Sequence, residues 1–282
     1  QSLGVESLAT GSPADVTAMR AAGVALPILL LACAPPKQTA ELAANGYLTT
    51  VNNHETAAAI SASVTTSTGV YIKVDAGLGR LGIPMSEALA VIERIARLPN
   101  LRIDGMYTHA PFKGHDSEAW SQRCLNQFGD LANQLAALGV NIPVIQAGAS
   151  ATVLAGLHDT GNAVCIGHAM FGLSPFAMNE KTDEFAEIES LKPVLQRVST
   201  SLVSVTDHGQ GADIMIAGMT QIPNGKRIGV LPVGVGHGLA RPDRQANAQV
   251  LVNGKRAPVL AVSLEHTTID LDYIDATLGD EV

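Results

Sequence analysis

The sequence predicts an α/β chain, a parallel barrel of the TIM type followed by a smaller antiparallel β-domain. Three observations predict it. Short β-rich runs alternate with helical stripes over the first two-thirds of the chain, the pattern of parallel strands joined by right-handed crossovers. The run Tyr71–Gly82 passes from a β-branched strand into a glycine-rich turn that carries Lys73, Asp75 and Arg80. Strand C-termini of this kind are where parallel barrels build their chemistry. Beyond about Asn179 the helical stripes stop, and short strands separated by turns such as Asn224-Gly225 and Asn253-Gly254 take over.

The elements follow in order. Strands are predicted at Leu3–Ala9, Leu26–Ala32, Tyr47–Val51, Val70–Asp75, Leu101–His109, Ile142–Ala147 and Ala163–Gly167. Helices are predicted between them at Pro13–Ala22, Lys37–Asn45, His54–Val64, Ser86–Leu98, Ser117–Leu138 and Ser150–Gly156. Ser12 before Pro13 reads as an N-cap with proline at the first helical position, and Gly23 as the stop. In the helix that starts at Ser86, Ala90, Ile92, Ile95 and Leu98 form an apolar stripe at helical spacing. A closed barrel of this class has eight strands, so the seven found here, regularly spaced, leave one end strand unaccounted for. The second domain is predicted to hold strands at Pro193–Val205, Ile214–Ala217, Arg227–Leu231, Gln249–Val252, Pro258–Val262 and Thr267–Leu271. The predicted domains are therefore 1–180, a barrel one βα unit short, and 190–282, a truncated β-domain. With Gln1 in place of Met, both ends read as truncated.

Composition narrows the function. A chain of 282 residues that is 46% hydrophobic can bury a large core. A net charge of −8 without a basic cluster excludes nucleic acid as the expected partner. Leu26–Ala32 is far shorter than the roughly 20 apolar residues of a membrane span. Cys33, Cys124 and Cys165 are scattered, which suggests neither a disulfide framework nor a metal site and fits a reduced cytoplasmic setting.

Four segments carry a resemblance: Lys73–Gly82; Tyr107-Thr-His109; Gly148-Ala-Ser150-Ala with Gly167-His-Ala-Met-Phe-Gly172; and Leu231–Leu239 with the later run Val250–Leu260. In this order and spacing the chain resembles the alanine racemases and their fold-type III pyridoxal phosphate relatives, over nearly its whole length. The resemblance implies pyridoxal 5'-phosphate as cofactor and a small amino acid as substrate. It also implies a head-to-tail homodimer in which the Gly234–Arg241 and Ser263–His266 segments complete the partner's site. The first barrel strand, which in the family carries the lysine that forms the Schiff base, is the element not found here.

The same resemblance implies roles for named residues. Lys73 matches a lysine often carbamylated and bonded to the arginine that matches Arg80, which contacts the cofactor's phenolic oxygen. Read from the residues alone, Lys73 is equally a strand-end lysine paired with Asp75. Ser150 and Gly167 match the phosphate cradle, although a serine opening a helix also serves as a plain N-cap. His109 matches a histidine beside the ring; a histidine ending a buried strand is often only a satisfied polar group. His168, three residues after Cys165, either compensates for the arginine missing there or faces phosphate or packing. Leu264 stands where the family has a methionine whose backbone meets substrate, with Glu265 in place of the usual aspartate. Two departures matter. Cys165 occupies the position of the arginine that meets the pyridine nitrogen, and a thiol is a weak hydrogen-bond partner. Val235 occupies the position of the catalytic tyrosine and cannot carry a proton, so His237 is the candidate substitute acid or base. The expectation is a racemase for alanine or a similar amino acid. The alternatives are a lyase or different racemase on the same scaffold, or a degenerate non-catalytic homologue.

Overall fold

A computed structural model describes residues 4–112, 115–176, 191–209, 214–216, 220–222, 226–240 and 248–282. Lys113, Lys181, Asn179, the Asn224-Gly225 turn and Arg241 lie outside the described residues. The chain divides into two compact units, Gln1–Val194 and Leu195–Val282.

The first unit alternates strand and helix: β1 (Leu8–Thr10), α1 (Pro13–Ala21), β2 (Ile28–Leu30), α2 (Pro36–Ala44), β3 (Leu48–Val51), α3 (His54–Ser63), β4 (Thr68–Asp75), the two-residue β5 (Ile83–Pro84), α4 (Met85–Ala96), β6 (Leu101–Tyr107), α5 (Glu118–Ala137), β7 (Val144–Ala149), α6 (Ser150–Leu154) and β8 (Ala163–Cys165). Its strands are parallel in the order β1-β2-β3-β4-β6-β7-β8, with β5 added at the C-terminal end of β4. Seven strands thus run round a nearly closed barrel, and among the described residues β1 and β8 share no ladder.

The core lies between strands and helices. Ile60, Ile72, Ile92, Ile95, Met106, Leu125, Phe128 and Leu135 are essentially inaccessible to solvent. Burying each contributes roughly 2 kcal/mol. The α4 face is Ala88, Ile92 and Ile95, with Leu98 packed against the same core, while Ala90 points to water. The predicted stripe was right at its three large residues and wrong at its small one, because Ala90 sits half a turn off the buried line. Ser12 stands in the N-cap position of α1 but makes no side-chain cap bond; instead its N–H donates to Thr10 Oγ1 at 3.2 Å.

In the second unit, β13 (Gln249–Val252), β14 (Lys255–Val262), β15 (Thr267–Asp270), β12 (Arg227–Leu231) and β9 (Ser204–Asp207) form one antiparallel sheet in that order. Asn253 (φ 50°) and Gly254 (φ 77°) make the β13–β14 hairpin, as their sequence predicts. β10 (Ile214–Ile216) and β11 (Thr220–Ile222) form a separate hairpin, whose second arm the sequence reading missed. The strand predicted from Pro193 begins only at Ser204. Upstream the chain is irregular and tied by isolated contacts, such as Thr200 N–H to Val282 O at 2.9 Å.

Candidate active site

The C-terminal strand ends of the barrel gather the polar residues. Registers explain which side chains meet. In the β4–β6 ladder Lys73 pairs with Tyr107, and the Lys73 ammonium lies 4.8 Å from the centre of the Tyr107 ring. Tyr107 Oη shares a 2.9 Å hydrogen bond with Thr50 Oγ1 from β3. Burial holds the Tyr107 phenol neutral, far above the usual range, despite that bond.

Lys73 is a buried charge, 7% exposed. Burial lowers its pKa first, and the neighbouring Arg80 charge lowers it further; Cys33, Asp75 and Cys165 oppose the fall. Asp75 is a poor counter-ion, because its Oδ1 already accepts the N–H groups of Gly77 (3.0 Å), Leu78 (2.8 Å) and Gly79 (3.1 Å). Burial works to raise the Asp75 pKa, but these amides, with that of Arg80, outweigh it and hold the carboxyl low. The carboxylate thus ties the loop together and leaves Lys73 without a dedicated ion pair among the described residues.

Arg80 and His109 are brought to the same mouth. Partial desolvation lowers the His109 pKa, and the charges of Arg80, Lys73 and His168 push it the same way. Lys73 and His109 therefore both feel the Arg80 charge and His109 also feels His168, while Asp75 offsets this only in part at Lys73. An anion placed among them would be favoured.

Ser150 supplies the matching feature. It is 4% exposed at the start of α6, and its Oγ accepts N–H groups from Gly167 (3.0 Å) and Ala169 (3.3 Å). Both lone pairs of the hydroxyl are thereby used, while among the described residues its own proton has no acceptor. A buried O–H donor calls for one. A Cβ added at Gly167 would meet nothing within 4 Å, so space for a ligand lies over that glycine. The Ser150 hydroxyl donor, a glycine-bared backbone and the nearby Arg80 and Lys73 charges fit a phosphate-bearing, phenolate-bearing group such as pyridoxal 5'-phosphate. Cys33 and Cys165 flank Lys73, and burial raises both thiols, so each is a neutral thiol there. Among the described residues no metal-ligating cluster exists.

Two family models match the chain: alanine racemase, N-terminal domain, over residues 1–175, and alanine racemase, C-terminal domain, over 195–282. The chain belongs to the alanine racemase family. It is 31% identical over 276 residues to alanine racemase from Desulfovibrio desulfuricans, covering 95% of this chain and 71% of that protein. It is 30% identical over 285 residues to that of Halothermothrix orenii, covering 99% and 73%. Among solved structures, alanine racemase of Clostridium difficile matches with a TM-score of 0.83 at 23% identity over 99% of this chain and 73% of that one, a likeness of fold. Alanine racemase of Bacillus anthracis with bound L-Ala-P matches with a TM-score of 0.77 at 25% identity, over 97% and 69%. The two family matches follow the two compact units, and the alanine racemase fold is the one described above.

The remaining predicted site residues lie in the second unit. Gly234 is extended, and a Cβ there would stand 2.5 Å from Ser263 O and 2.6 Å from Leu264 O. Only glycine lets the two segments touch, through Val235 N–H to Ser263 O (3.0 Å) and Gly236 N–H to Leu264 O (2.8 Å). They form one ledge with Leu264 64% exposed upon it. His237 Nδ1 accepts the Gly234 N–H at 3.2 Å, so in its neutral form the proton sits on Nε2.

Sequence reasoning missed three participants. Ala169 contributes through its backbone, which no side-chain pattern announces. Cys33 lies just past β2, and its position at a strand end was the one available signal. Tyr107 was quoted only as part of a motif, although its place opposite Lys73 follows from strand register.

Proposed function

We propose that the protein is a pyridoxal 5'-phosphate-dependent racemase acting on alanine or a similarly small amino acid. The observation that carries this reading is the Lys73–Arg80 mouth, in which Asp75 is taken up by loop amides, joined to the Ser150 hydroxyl, in a chain of this family. Ser150 O–H, its oxygen held by the Gly167 and Ala169 amides, would donate to the phosphate, with His168 nearby. Arg80 would face the phenolic oxygen and His109 the ring. When bound, the cofactor supplies an electron sink that makes the α-proton of an amino acid removable.

The chain's own residues set the conditions. His109, held neutral, orders the mouth without adding charge. Lys73, with its lowered pKa, presents more free amine at neutral pH. A free amine adds carbon dioxide and releases a proton, and the resulting carbamate would pair with Arg80. Cys165 would stand at the pyridine nitrogen as a neutral thiol, a weak partner that leaves the nitrogen's charge state to other surroundings. His237 Nε2 would handle a proton at the substrate carbon, and Leu264 would present its backbone to substrate. The exposed apolar ledge of Val235, Leu239 and Leu264 fits contact with a second copy of the chain, so the working form is a homodimer. Among the described residues no helix is long and apolar enough to cross a membrane, and we place the enzyme in the cytoplasm.

The test is the intact gene product with L-alanine and cofactor in deuterium oxide. The racemase reading expects deuterium at the α-carbon together with D-alanine on chiral chromatography. Deuterium without inversion would mean another α-proton chemistry. Bound cofactor with neither result would identify a non-catalytic binder.

A further inference from the structure

We propose that Trp120 is a positioning residue, and that the first turns of α5 brace the loop carrying Arg80 and the segment that follows His109. The proposal rests on the cofactor reading above for its consequence, and on contacts for its cause.

The Arg80 loop closes on itself in three ways. Asp75 Oδ1 collects three of its amides. Ile83 and Pro84 pair with Val74 and Asp75. Gly82 (φ 131°) lies so close to β4 that a Cβ there would stand 2.5 Å from Asp75 N. These ties hold the two ends of the loop against β4, and the turn between them meets α5. A Cβ on Gly77 (φ 119°) would stand 3.0 Å from Cys124 Sγ and 3.3 Å from Trp120 Cζ2. The loop backbone therefore rests directly on these two side chains, with glycine permitting the approach. Cys124 is buried core, whereas Trp120 is 49% exposed. The Arg123 guanidinium lies 5.5 Å from the centre of the indole ring and packs against it. A half-exposed tryptophan held between an arginine and a glycine turn does little for the core; its contact is with the loop.

The next residue on the same turn reaches the other loop. Ser121 Oγ lies within donor reach of Pro111 O, just past His109, and of Ser117 O at 3.0 Å, its one proton shared between them. One helical turn thus touches the two segments that carry Arg80 and His109.

The experiment combines hydrogen–deuterium exchange of the segment 74–82 with equilibrium dialysis of pyridoxal 5'-phosphate. Trp120→Ala is expected to speed exchange of the Gly77–Gly79 amides about tenfold, since their opening free energy falls with the lost contact. It is expected to weaken cofactor binding about tenfold, and Trp120→Phe, which keeps a ring, to restore both. In an Arg80→Ala background Trp120→Ala is expected to cost less than about twofold in affinity, because its route to the cofactor is gone. Unchanged exchange, or full additivity with Arg80→Ala, overturns the proposal. A wild-type chain that takes up no cofactor overturns the cofactor reading instead, and the exchange rates then decide the brace by themselves.

Discussion

Replacing Ser150 with alanine removes one oxygen and leaves two amides without their acceptor. The bonds are 3.0 Å from Gly167 and 3.3 Å from Ala169. A net hydrogen bond is worth about 1 kcal/mol, so the pair sums to about 2 kcal/mol. Gly167 is exposed and its amide regains water in the variant, which brings the expected loss to about 1.5 kcal/mol. Trp120 is the single tryptophan and lies in the barrel unit, so its fluorescence follows unfolding of that unit. With a urea slope of about 2 kcal/mol/M, the midpoint should fall by about 0.8 M at unchanged slope. The same variant should lose most of the stabilisation that cofactor gives, which for the parent at 100 times the dissociation constant is about 2.7 kcal/mol. A midpoint within about 0.2 M of the parent would refute the claim that this hydroxyl organises the cradle. Equal stabilisation of both proteins by cofactor would refute its place at the phosphate.

Three further outcomes are expected. His109 and Lys73 both have pKa values lowered on folding, so the unfolded chain binds more protons and stability rises with pH between each folded and unfolded value. Below pH 6.5, the unperturbed histidine value, the urea midpoint should fall as His109 is forced to charge, and His109→Gln should flatten that part of the slope. Lys73→Met removes a buried charge that lacks a counter-ion; it should leave the empty barrel as stable or up to about 1 kcal/mol more stable, while abolishing tight cofactor binding by dialysis. Gly234→Ala puts a Cβ 2.5 Å from Ser263 O, where two backbones cannot both give way. It should cost the second unit about 2 kcal/mol by scanning calorimetry and shift sedimentation toward monomer.

Much of the barrel was legible because its strands are short apolar runs that alternate with segments of helical period. Lys73 and His109 could be singled out for the same reason: each stands at or just past the C-terminus of such a run. The β10–β11 hairpin was less legible, since arms of three residues carry too little periodicity to separate from loop. The strand expected from Pro193 failed because β-propensity alone does not make a strand without a partner. In the site, side chains with distinctive chemistry could be read, whereas the amide of Ala169 and the contact of Trp120 with Gly77 could not. Backbone donors and contacts across helices leave no local mark in a sequence.

The mouth of the barrel works against the stability of its own fold. Lys73 is buried beside Arg80, its nearest carboxylate is occupied by amides, and the Ser150 hydroxyl holds a proton with nothing described to receive it. A sequence shaped for stability alone would replace Lys73 with an apolar residue of similar length and let Asp75 pair outward. The conflict disappears once a ligand with a phosphate and a second anionic oxygen is bound, because the same charges then become its binding energy. Cys165 and Val235 do not weaken that inference. On the proposed function both positions bear on what happens to a substrate proton, whereas the demand for an anion arises from the Lys73 and Arg80 charges. On that reading, binding of the cofactor and the fate of the proton are separable, and variants at the two sets of positions should separate them experimentally.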